Sequence, residues 1–366
     1  MQMLKKRRAI TAAVAALAIG ALAYFHPFSL QELRTWGEKT ALLSVGMQQP
    51  RNAVLALSEE LRGAPPAQSS TTTSASVSTT TTSAGTSAAT STRITNAPAP
   101  PQSQNGGTVL EQVLSTGTPV VENIAWANRC GKDLDIAAQF AHLPDITIKD
   151  GSEPQVLIVH THTTESYMNY YAGYYNDDDV ARTKDTSQSV VAVGEAIAAQ
   201  LRAAGIEVIH DTTVHDSPQY TGAYDRSAET IQKNLKKYPT IQVVLDIHRD
   251  AVMPDDTTKI KPTVTIDGRK AAQVMIIAGA VSTEDQPHPN WQENLRLALQ
   301  LQNELAGRYE DLARPLSVVA SRYNQHLTKG SLLIEVGTDA NTIAESVYSG
   351  ELVGKTLADV LSKLKE

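Results

Sequence analysis

Short apolar runs alternate with helix-forming stretches from Pro154 to the end of the chain, and this alternation constrains the fold most strongly. Strands and helices that alternate along a sequence are typical of an α/β domain with mostly parallel strands. We therefore expect an α/β domain with a mostly parallel sheet flanked by helices. The predicted strands cover 156–159, 206–209, 243–247, 274–278, 316–320 and 332–336. The predicted helices cover 186–204, 227–237, 290–309 and a terminal stretch from near Asn341.

Two of these helices carry recognisable start signals. Ser187 is the expected N-cap of the first helix, since a serine hydroxyl can accept from the free N–H groups of a first turn. Asn290 and Glu293 have the spacing of a capping box at the start of the third predicted helix.

The N-terminus predicts a membrane anchor. Four basic residues, 5–8, precede an uncharged apolar run of 17 residues from Ala9 to Phe25. A run of this length is at the short end of what spans a bilayer, and the basic cluster predicts a cytoplasmic N-terminus. The sequence at 21–23, Ala-Leu-Ala, also resembles a signal-peptide cleavage site, so a removed leader is the alternative. Both interpretations place the rest of the chain outside the membrane, and we favour the uncleaved anchor.

A polar stretch separates this anchor from the region of strands and helices. Residues 63–107 are dominated by Ser, Thr, Ala and Pro, and such a segment buries too little apolar surface to offset its chain entropy. The predicted organisation is a cytoplasmic tip and transmembrane anchor over 1–28, a juxtamembrane segment over 29–62, a disordered linker over 63–107, and an extracytoplasmic domain over 108–366.

Charge and cysteine content exclude two classes of function. The formal net charge of −7 argues against nucleic-acid binding, which needs a basic surface to neutralise phosphates. The single cysteine, Cys130, allows neither an intrachain disulfide nor a cysteine-based metal cluster.

Three polar clusters occur where predicted strands end, at 160–166, at 246–250 and at Glu335. The carboxyl ends of the strands are where open α/β sheets build their sites. Imidazoles and carboxylates brought together there suit a catalytic zinc, which takes three protein ligands and keeps one position for water. The same ligands also suit other divalent ions. The residues by themselves therefore predict a metal-assisted hydrolase.

Individual roles follow from residue type. Of His160 and His162, we expect only one to face a metal. Asp246 is a candidate for orienting a neighbouring ligand. Glu335 lies in an otherwise apolar strand, where a charge is unfavourable unless it is paired or functional, so it is the candidate proton carrier. Arg249 either steadies a developing oxyanion or a substrate carboxylate, or forms a structural salt bridge.

Two segments after the first cluster allow a further interpretation. The tyrosine-rich stretch 167–175 suits either a loop that binds sugar or peptide faces or a packed surface loop. The aspartate run 177–179 is predicted to be a solvated turn. The remaining histidines outside the clusters are predicted to be surface or structural residues: His26, His142, His210, His215, His288 and His326.

At these clusters the sequence resembles the stage II sporulation protein P family of cell-wall hydrolases, which is similar to the zinc N-acetylmuramoyl-L-alanine amidases. The resemblance implies a three-layer, amidase-like α/β fold with one zinc ion per chain. The stretches that carry it are LIVHTHTTESY at 157–167, VVAVG at 190–194, LDIHRD at 245–250 and SLLIEVG at 331–337.

The resemblance also implies ligands. His248 matches the amidases' later zinc histidine, and Glu335 matches their catalytic glutamate. The first ligand is placed at His162, with His160 as second choice, because the amidase Gly-His-Gly-Gly turn is replaced here by His-Thr-His-Thr-Thr. The helix that should begin with a glutamate ligand has no carboxylate in its first turn, so nearby Glu165 is taken as the third ligand. The segment 224–226, Tyr-Asp-Arg, resembles the arginine-bearing turn before the amidases' second helix.

The implied activity is hydrolysis of the amide between the glycan lactyl group and the stem peptide, together with cutting of peptide cross-links, during engulfment in sporulation. The implied partners are stage II sporulation proteins D and M, and the implied location is the mother-cell membrane, facing the septal space. Two alternatives remain: a serine hydrolase using Ser166 or Ser331, although neither lies in a Gly-x-Ser-x-Gly elbow, and a degenerate amidase fold that binds wall and scaffolds partners.

Overall fold

The computed structural model describes residues 96–149, 151–179 and 181–365. The predicted anchor, the juxtamembrane segment and the linker up to residue 95 lie outside the described residues. Within the described part, none of the helices combines the length and apolar character needed to cross a bilayer.

The strands of the described region form two sheets. In chain order they are β1 Gly107–Gln112, β2 Trp126–Arg129, β3 Val156–Val159, β4 Tyr174–Tyr175, β5 Val208–His210, β6 Val243–Asp250, β7 Thr258–Ile266, β8 Arg269–Ala272, β9 Val274–Gly279, β10 Leu316–Val319 and β11 Gly330–Thr338. The larger sheet has the order β2-β10-β9-β11-β6-β3-β5, and its neighbours are parallel except β9 and β11. The smaller sheet has the order β4-β1-β7-β8. The predicted α/β class with a mostly parallel main sheet is therefore confirmed.

Helices cover both faces of the larger sheet. They are α1 Ile136–Phe140, α2 Val190–Ala203, α3 Ala223–Lys237, α4 Trp291–Arg308 and α5 Ile343–Ser362. The alternation of side chains along β3 separates the two cores. Leu157 and Val159 pack with Ile231 of α3, whereas Ile158 packs into the main core with apolar residues of α2, α4 and α5. The result is a helix–sheet–helix sandwich.

The first predicted helix begins later than its sequence suggests. A short 3-10 turn, Thr186–Gln188, precedes α2, and Asp185 caps that turn by accepting from the Ser187 N–H. Ser189, not Ser187, caps α2, and its side chain accepts from the Val191 N–H. The expected cap at Ser187 is wrong because the extra turn moves the helix start by two residues.

The predicted capping box at α4 is also wrong. Asn290 is the N-cap residue, but its side chain makes no cap bond and donates instead to the His326 carbonyl. Glu293 accepts from the Asp145 N–H and pairs with Arg296. Contacts with distant segments have taken both side chains away from the helix end.

One irregularity shapes the end of β11. The register between β11 and β6 shifts after Glu335, and Gly337 has φ of +66°. A side chain at this position would be strained at that φ and would meet Asn341 Oδ1 at 2.7 Å. The glycine thus allows the strand to bulge directly beyond Glu335.

Candidate active site

The C-terminal ends of β6 and β11 lie side by side and bring two of the predicted site residues together. Their register pairs His248 with Glu335. Because side chains alternate along a strand, Asp246, His248 and Glu335 share the face of the sheet that packs against α3. His248 is 2% exposed and Glu335 is 8% exposed, so both are held away from bulk water.

The Asp246 carboxylate lies next to the His248 ring. Its Oδ1 lies 2.9 Å from His248 Nε2, although the ring N–H is too poorly aimed to count as a hydrogen bond to any described residue. The same carboxylate accepts from the Thr161 N–H at 2.8 Å and from the Thr161 hydroxyl at 2.6 Å. Burial works to lower the pKa of His248, but the charges of Asp246 and Glu165 raise it well above its usual value.

The His162 ring lies next to the His248 ring, and the two ring centroids are 5.3 Å apart. Tyr220 stacks on the His162 ring at 4.4 Å, and its hydroxyl is 3.0 Å from His162 Nε2. The other nitrogen, Nδ1, is buried and has no hydrogen-bond partner among the described residues. Burial lowers the pKa of His162 to about 3, so the ring is neutral.

Glu165 completes a compact group with the two histidines. Its Oε2 lies 3.5 Å from His248 Nδ1, and its Oε1 lies 3.8 Å from the Arg182 guanidinium. Burial would raise the pKa of this carboxyl, but the hydrogen bond and charge of His248 hold it well below its usual range. Glu165 is therefore an ionised carboxylate that is fully buried.

Glu335 is the least satisfied carboxyl of the group. Its Oε2 is buried and lacks a hydrogen-bond partner within the described part of the chain. Burial, with the nearby charge of Asp250, raises its pKa to about 8, against the opposing effect of His248. A carboxyl held in this way binds and releases a proton near neutral pH.

His160 takes no part in this group. It lies under α2, on the opposite side of the sheet from His248. Its Nδ1 contacts the Ile247 carbonyl at 3.0 Å, and its Nε2 lies 2.9 Å from His210 Nε2. His210 in turn pairs with Glu195 at 2.9 Å. The structure thus separates the two histidines of the His-Thr-His turn and brings only His162 next to His248.

Arg249 is also directed away from His248. Its three guanidinium nitrogens donate to the backbone carbonyls of Ser166, Asp250 and Ala181, and the side chain is almost fully buried. It ties the loop after β3 to the end of β6. A contact of Arg249 with an oxyanion stays a prediction, and the observed contacts are those of a positioning residue.

The donor set fits a zinc ion. A tetrahedral site with zinc bonds of 2.0–2.1 Å separates its donor atoms by about 3.4 Å, close to the 3.5 Å between His248 Nδ1 and Glu165 Oε2. The unpartnered His162 Nδ1 would be the third donor. Asp246, at 2.9 Å from His248 Nε2, has the position of the carboxylate that supports a ligand histidine in many zinc sites. The types of donor atom suit zinc, but their present positions do not form a complete site. Among the described residues, no group of three or more His, Cys, Asp or Glu has a metal-binding arrangement.

Several neighbours of the site were missed by sequence reasoning. Tyr220 and Asp216 come from the loop between β5 and α3, and Asp216 pairs with Arg182 at 2.6 Å. Tyr323 lies beside Tyr224 of α3, at 5.6 Å between ring centroids. Only Tyr224 had a signal in the sequence, through the Tyr-Asp-Arg segment, because the others occur in loops without a local pattern.

Comparison with known proteins identifies relatives. The family model described as Stage II sporulation protein P matches residues 48–362. Stage II sporulation protein P of Bacillus subtilis (strain 168) is 30% identical over 225 residues, which cover 58% of this chain and 52% of that protein. The chain thus matches about half the length of this curated relative.

Solved structures give more distant likenesses. N-acetylmuramoyl-L-alanine amidase AmiC2 of Nostoc punctiforme is 14% identical, with 58% of this chain and 98% of that chain covered and a TM-score of 0.33. The CwlD amidase from Clostridioides difficile, solved in complex with the GerS lipoprotein, is 12% identical, with 57% and 98% covered and a TM-score of 0.34. Similarity at this level does not establish a shared activity.

Proposed function

Because the chain belongs to the stage II sporulation protein P family, we propose that it is a zinc-dependent peptidoglycan hydrolase. The bond cut is an amide, at the junction of glycan and stem peptide and in peptide cross-links. The observation that carries the proposal is the Glu335 carboxyl, buried beside His248 with an unpartnered oxygen in the described part of the chain. A carboxyl in such a place is unfavourable for folding, which favours a chemical role.

His162, Glu165 and His248 are the residues that would hold the metal. A zinc ion bound there would polarise the scissile carbonyl and lower the pKa of a bound water. Asp246 would keep the His248 ring in one orientation, and Tyr220 would do the same for His162 through its contact with Nε2.

Glu335 is the proposed proton carrier. It takes the proton released when water attacks the carbonyl carbon, and it gives this proton to the nitrogen as the C–N bond breaks. Its raised pKa makes the carboxylate a stronger base than an exposed glutamate. Its register position across from His248 supports this role.

The basic cluster at 5–8 and the apolar run at 9–25 support attachment to the membrane, with the hydrolase domain outside. The resemblance to the family supports action in engulfment, at the mother-cell membrane facing the septal space, together with stage II sporulation proteins D and M. Fractionation of cells that express the full chain, followed by external protease treatment, tests this orientation.

The competing proposal is a non-catalytic wall binder. Glu335→Gln separates the two, since it keeps the shape of the side chain and removes only the proton carrier. We expect hydrolysis of purified peptidoglycan to fall about 10²- to 10⁴-fold, while sedimentation with the wall is unchanged. Asp256→Asn, at an exposed position, is the matched control. This variant should hydrolyse peptidoglycan and sediment with the wall as wild type does. Equal hydrolysis by wild type and Glu335→Gln would refute the role of Glu335.

Metal content provides the second test. Full-length protein should retain about one zinc per chain, and His248→Ala should lose both metal and hydrolysis. Hydrolysis by wild type that survives complete chelation would remove the zinc from the proposal and reopen the serine mechanism.

A further inference from the structure

A series of hydrogen bonds connects the loop between β10 and β11 with Asp246, the carboxylate next to His248. It begins at Asn324, whose side-chain amide nitrogen lies 3.0 Å from the Ser227 hydroxyl of α3. The Ser227 hydroxyl lies 2.7 Å from the Thr161 hydroxyl, which donates to Asp246 Oδ2 at 2.6 Å. Ser227, Thr161 and Asp246 are at most 4% exposed, so bulk water does not compete for these bonds.

The number of protons fixes the direction of each bond. An ionised carboxylate only accepts, so the single hydroxyl proton of Thr161 is donated to Asp246, and 2.6 Å is typical of such a charge-assisted bond. The Thr161 oxygen therefore accepts from Ser227, and the Ser227 oxygen accepts from the Asn324 amide, whose nitrogen only donates. These bonds form a donor chain, Asn324–Ser227–Thr161, in which each donor is directed towards Asp246.

Another acceptor, the Tyr224 carbonyl, lies 3.1 Å from the Ser227 hydroxyl. That carbonyl already receives an amide proton from Asn324 at 2.8 Å. If Ser227 donated to Tyr224, oxygen lone pairs would face each other across the 2.7 Å contact with Thr161. Donation to Thr161 gives each of these buried groups a partner, as buried polar groups require.

The loop holds Asn324 in an uncommon backbone conformation. Asn324 has φ of +60° and the preceding Tyr323 has φ of +43°, in the left-handed region where asparagine is among the few non-glycine residues that are tolerated. Gln325, which is 2% exposed, fixes the turn from the other side. It accepts from the Gly279 N–H and donates to the Ile277 carbonyl, each at 2.9 Å. Backbone strain of this kind persists where surrounding contacts impose it, and it is concentrated at functional sites.

We propose that the donor chain positions His248 for the metal by fixing the Asp246 carboxylate. The proposal rests on the zinc site of the proposed function. Asp246 Oδ2 receives the donor chain, while Oδ1 lies 2.9 Å from His248 Nε2. Donors that are aligned in one direction polarise one another, so the carboxylate is held in one orientation with Oδ1 directed at the ring. His248 Nδ1 is thereby presented to the metal in one orientation.

A purely structural role for these bonds would have a different signature. If the donor chain only docked α3 on the sheet, cutting it would lower the stability of the fold and leave the zinc affinity of the folded protein unchanged. If the donor chain positions His248, cutting it lowers the zinc affinity of the folded protein. The loss is then largest where the cut is next to Asp246.

The first experiment measures the zinc affinity of the full-length protein by competition with a chelator, without a hydrolysis assay. Thr161→Val keeps the shape of the side chain and removes the hydroxyl, so zinc affinity should fall at least about tenfold. Thr161→Ser keeps the hydroxyl and should bind zinc as wild type does. Ser227→Ala cuts the donor chain one bond further from Asp246 and should lower the affinity about two- to tenfold.

A double variant tests whether these effects pass along one donor chain. Asn324→Gly suits the positive φ and removes the amide, so the Tyr224 carbonyl then competes for the Ser227 proton. By itself it should lower zinc affinity about two- to tenfold. Combined with Thr161→Val it should add nothing, because the donor chain is already cut beside Asp246. Two losses that multiply would overturn the proposal.

Thr356→Val is the matched control, because Thr356 is fully buried and its hydroxyl donates to the Leu352 carbonyl within α5. This variant should bind zinc as wild type does. Circular dichroism and urea unfolding establish that each variant is folded. Wild-type zinc affinity in folded Thr161→Val and Ser227→Ala, or an equal loss in Thr356→Val, would overturn the positioning role alone. Wild-type protein that binds no zinc would instead refute the proposed function, and the positioning role with it.

Discussion

Gly194 of α2 is a position where one added methyl group should disturb the fold. A Cβ added there would lie 2.7 Å from His160 Cε1 and 2.8 Å from His210 Nε2. Overpacking of this kind costs about 1–3 kcal/mol, and breaking the buried His160–His210 contact adds about 1–3 kcal/mol. The gain in helix propensity from Gly to Ala is about 1 kcal/mol. Gly194→Ala should therefore lower the free energy of unfolding by about 1–5 kcal/mol.

Gly307 of α4 is the matched control. A Cβ there would meet only the Asn123 side chain, at 2.7 Å, and this exposed amide can rotate away. Gly307→Ala should thus be neutral or stabilising by up to about 1 kcal/mol. The assay is urea unfolding of the full-length chain in mild detergent, followed by circular dichroism. If Gly194→Ala is as stable as Gly307→Ala, the close packing of α2 on His160 is refuted.

Two further predictions concern the support of the site. Asp246→Asn keeps the shape of the side chain but removes the charge against His248, so zinc affinity measured by chelator competition should fall about 10- to 100-fold; unchanged affinity would contradict the orienting role. Arg249→Lys replaces three donating nitrogens by one ammonium that cannot span all three carbonyls, so unfolding should become easier by about 3 kcal/mol. An Arg249→Lys variant of wild-type stability that loses hydrolysis would instead indicate a role on the substrate.

Six of the seven strands of the main sheet could be predicted because they contain apolar runs that are buried on both faces. The edge strand β2 was missed because its sequence, Trp-Ala-Asn-Arg, is half polar and partly exposed. All six predicted strands are present, and their ends differ from the prediction by one or two residues at most, except that β6 continues three residues further, to Asp250, where it still pairs with Thr338 of β11. The smaller sheet was missed. Its longest strand, β7, contains Lys261 and Pro262 and lacks an apolar run, and it is stabilised by tertiary contacts such as the 2.7 Å pair of Lys261 with Glu345.

The candidate site was predicted in outline for a similar reason. Polar residues directly after apolar strands had to meet at one edge of a parallel sheet, and His248 and Glu335 do so. No comparable rule predicts the direction in which a side chain points once the chain has left the strand. His160 and His162 differ by two positions, yet one packs under α2 against His210 and the other stacks on Tyr220.

The sequence by itself determined the α/β class, the order of the strands and helices along the chain, and the edge where His162, His248 and Glu335 meet, because hydrophobic periodicity and strand polarity act locally. Only the tertiary structure decided which histidine faces the site and that the Arg249 side chain binds backbone carbonyls. Those outcomes depend on loops whose conformation is set by contacts between residues far apart in the chain, and no local pattern encodes such contacts.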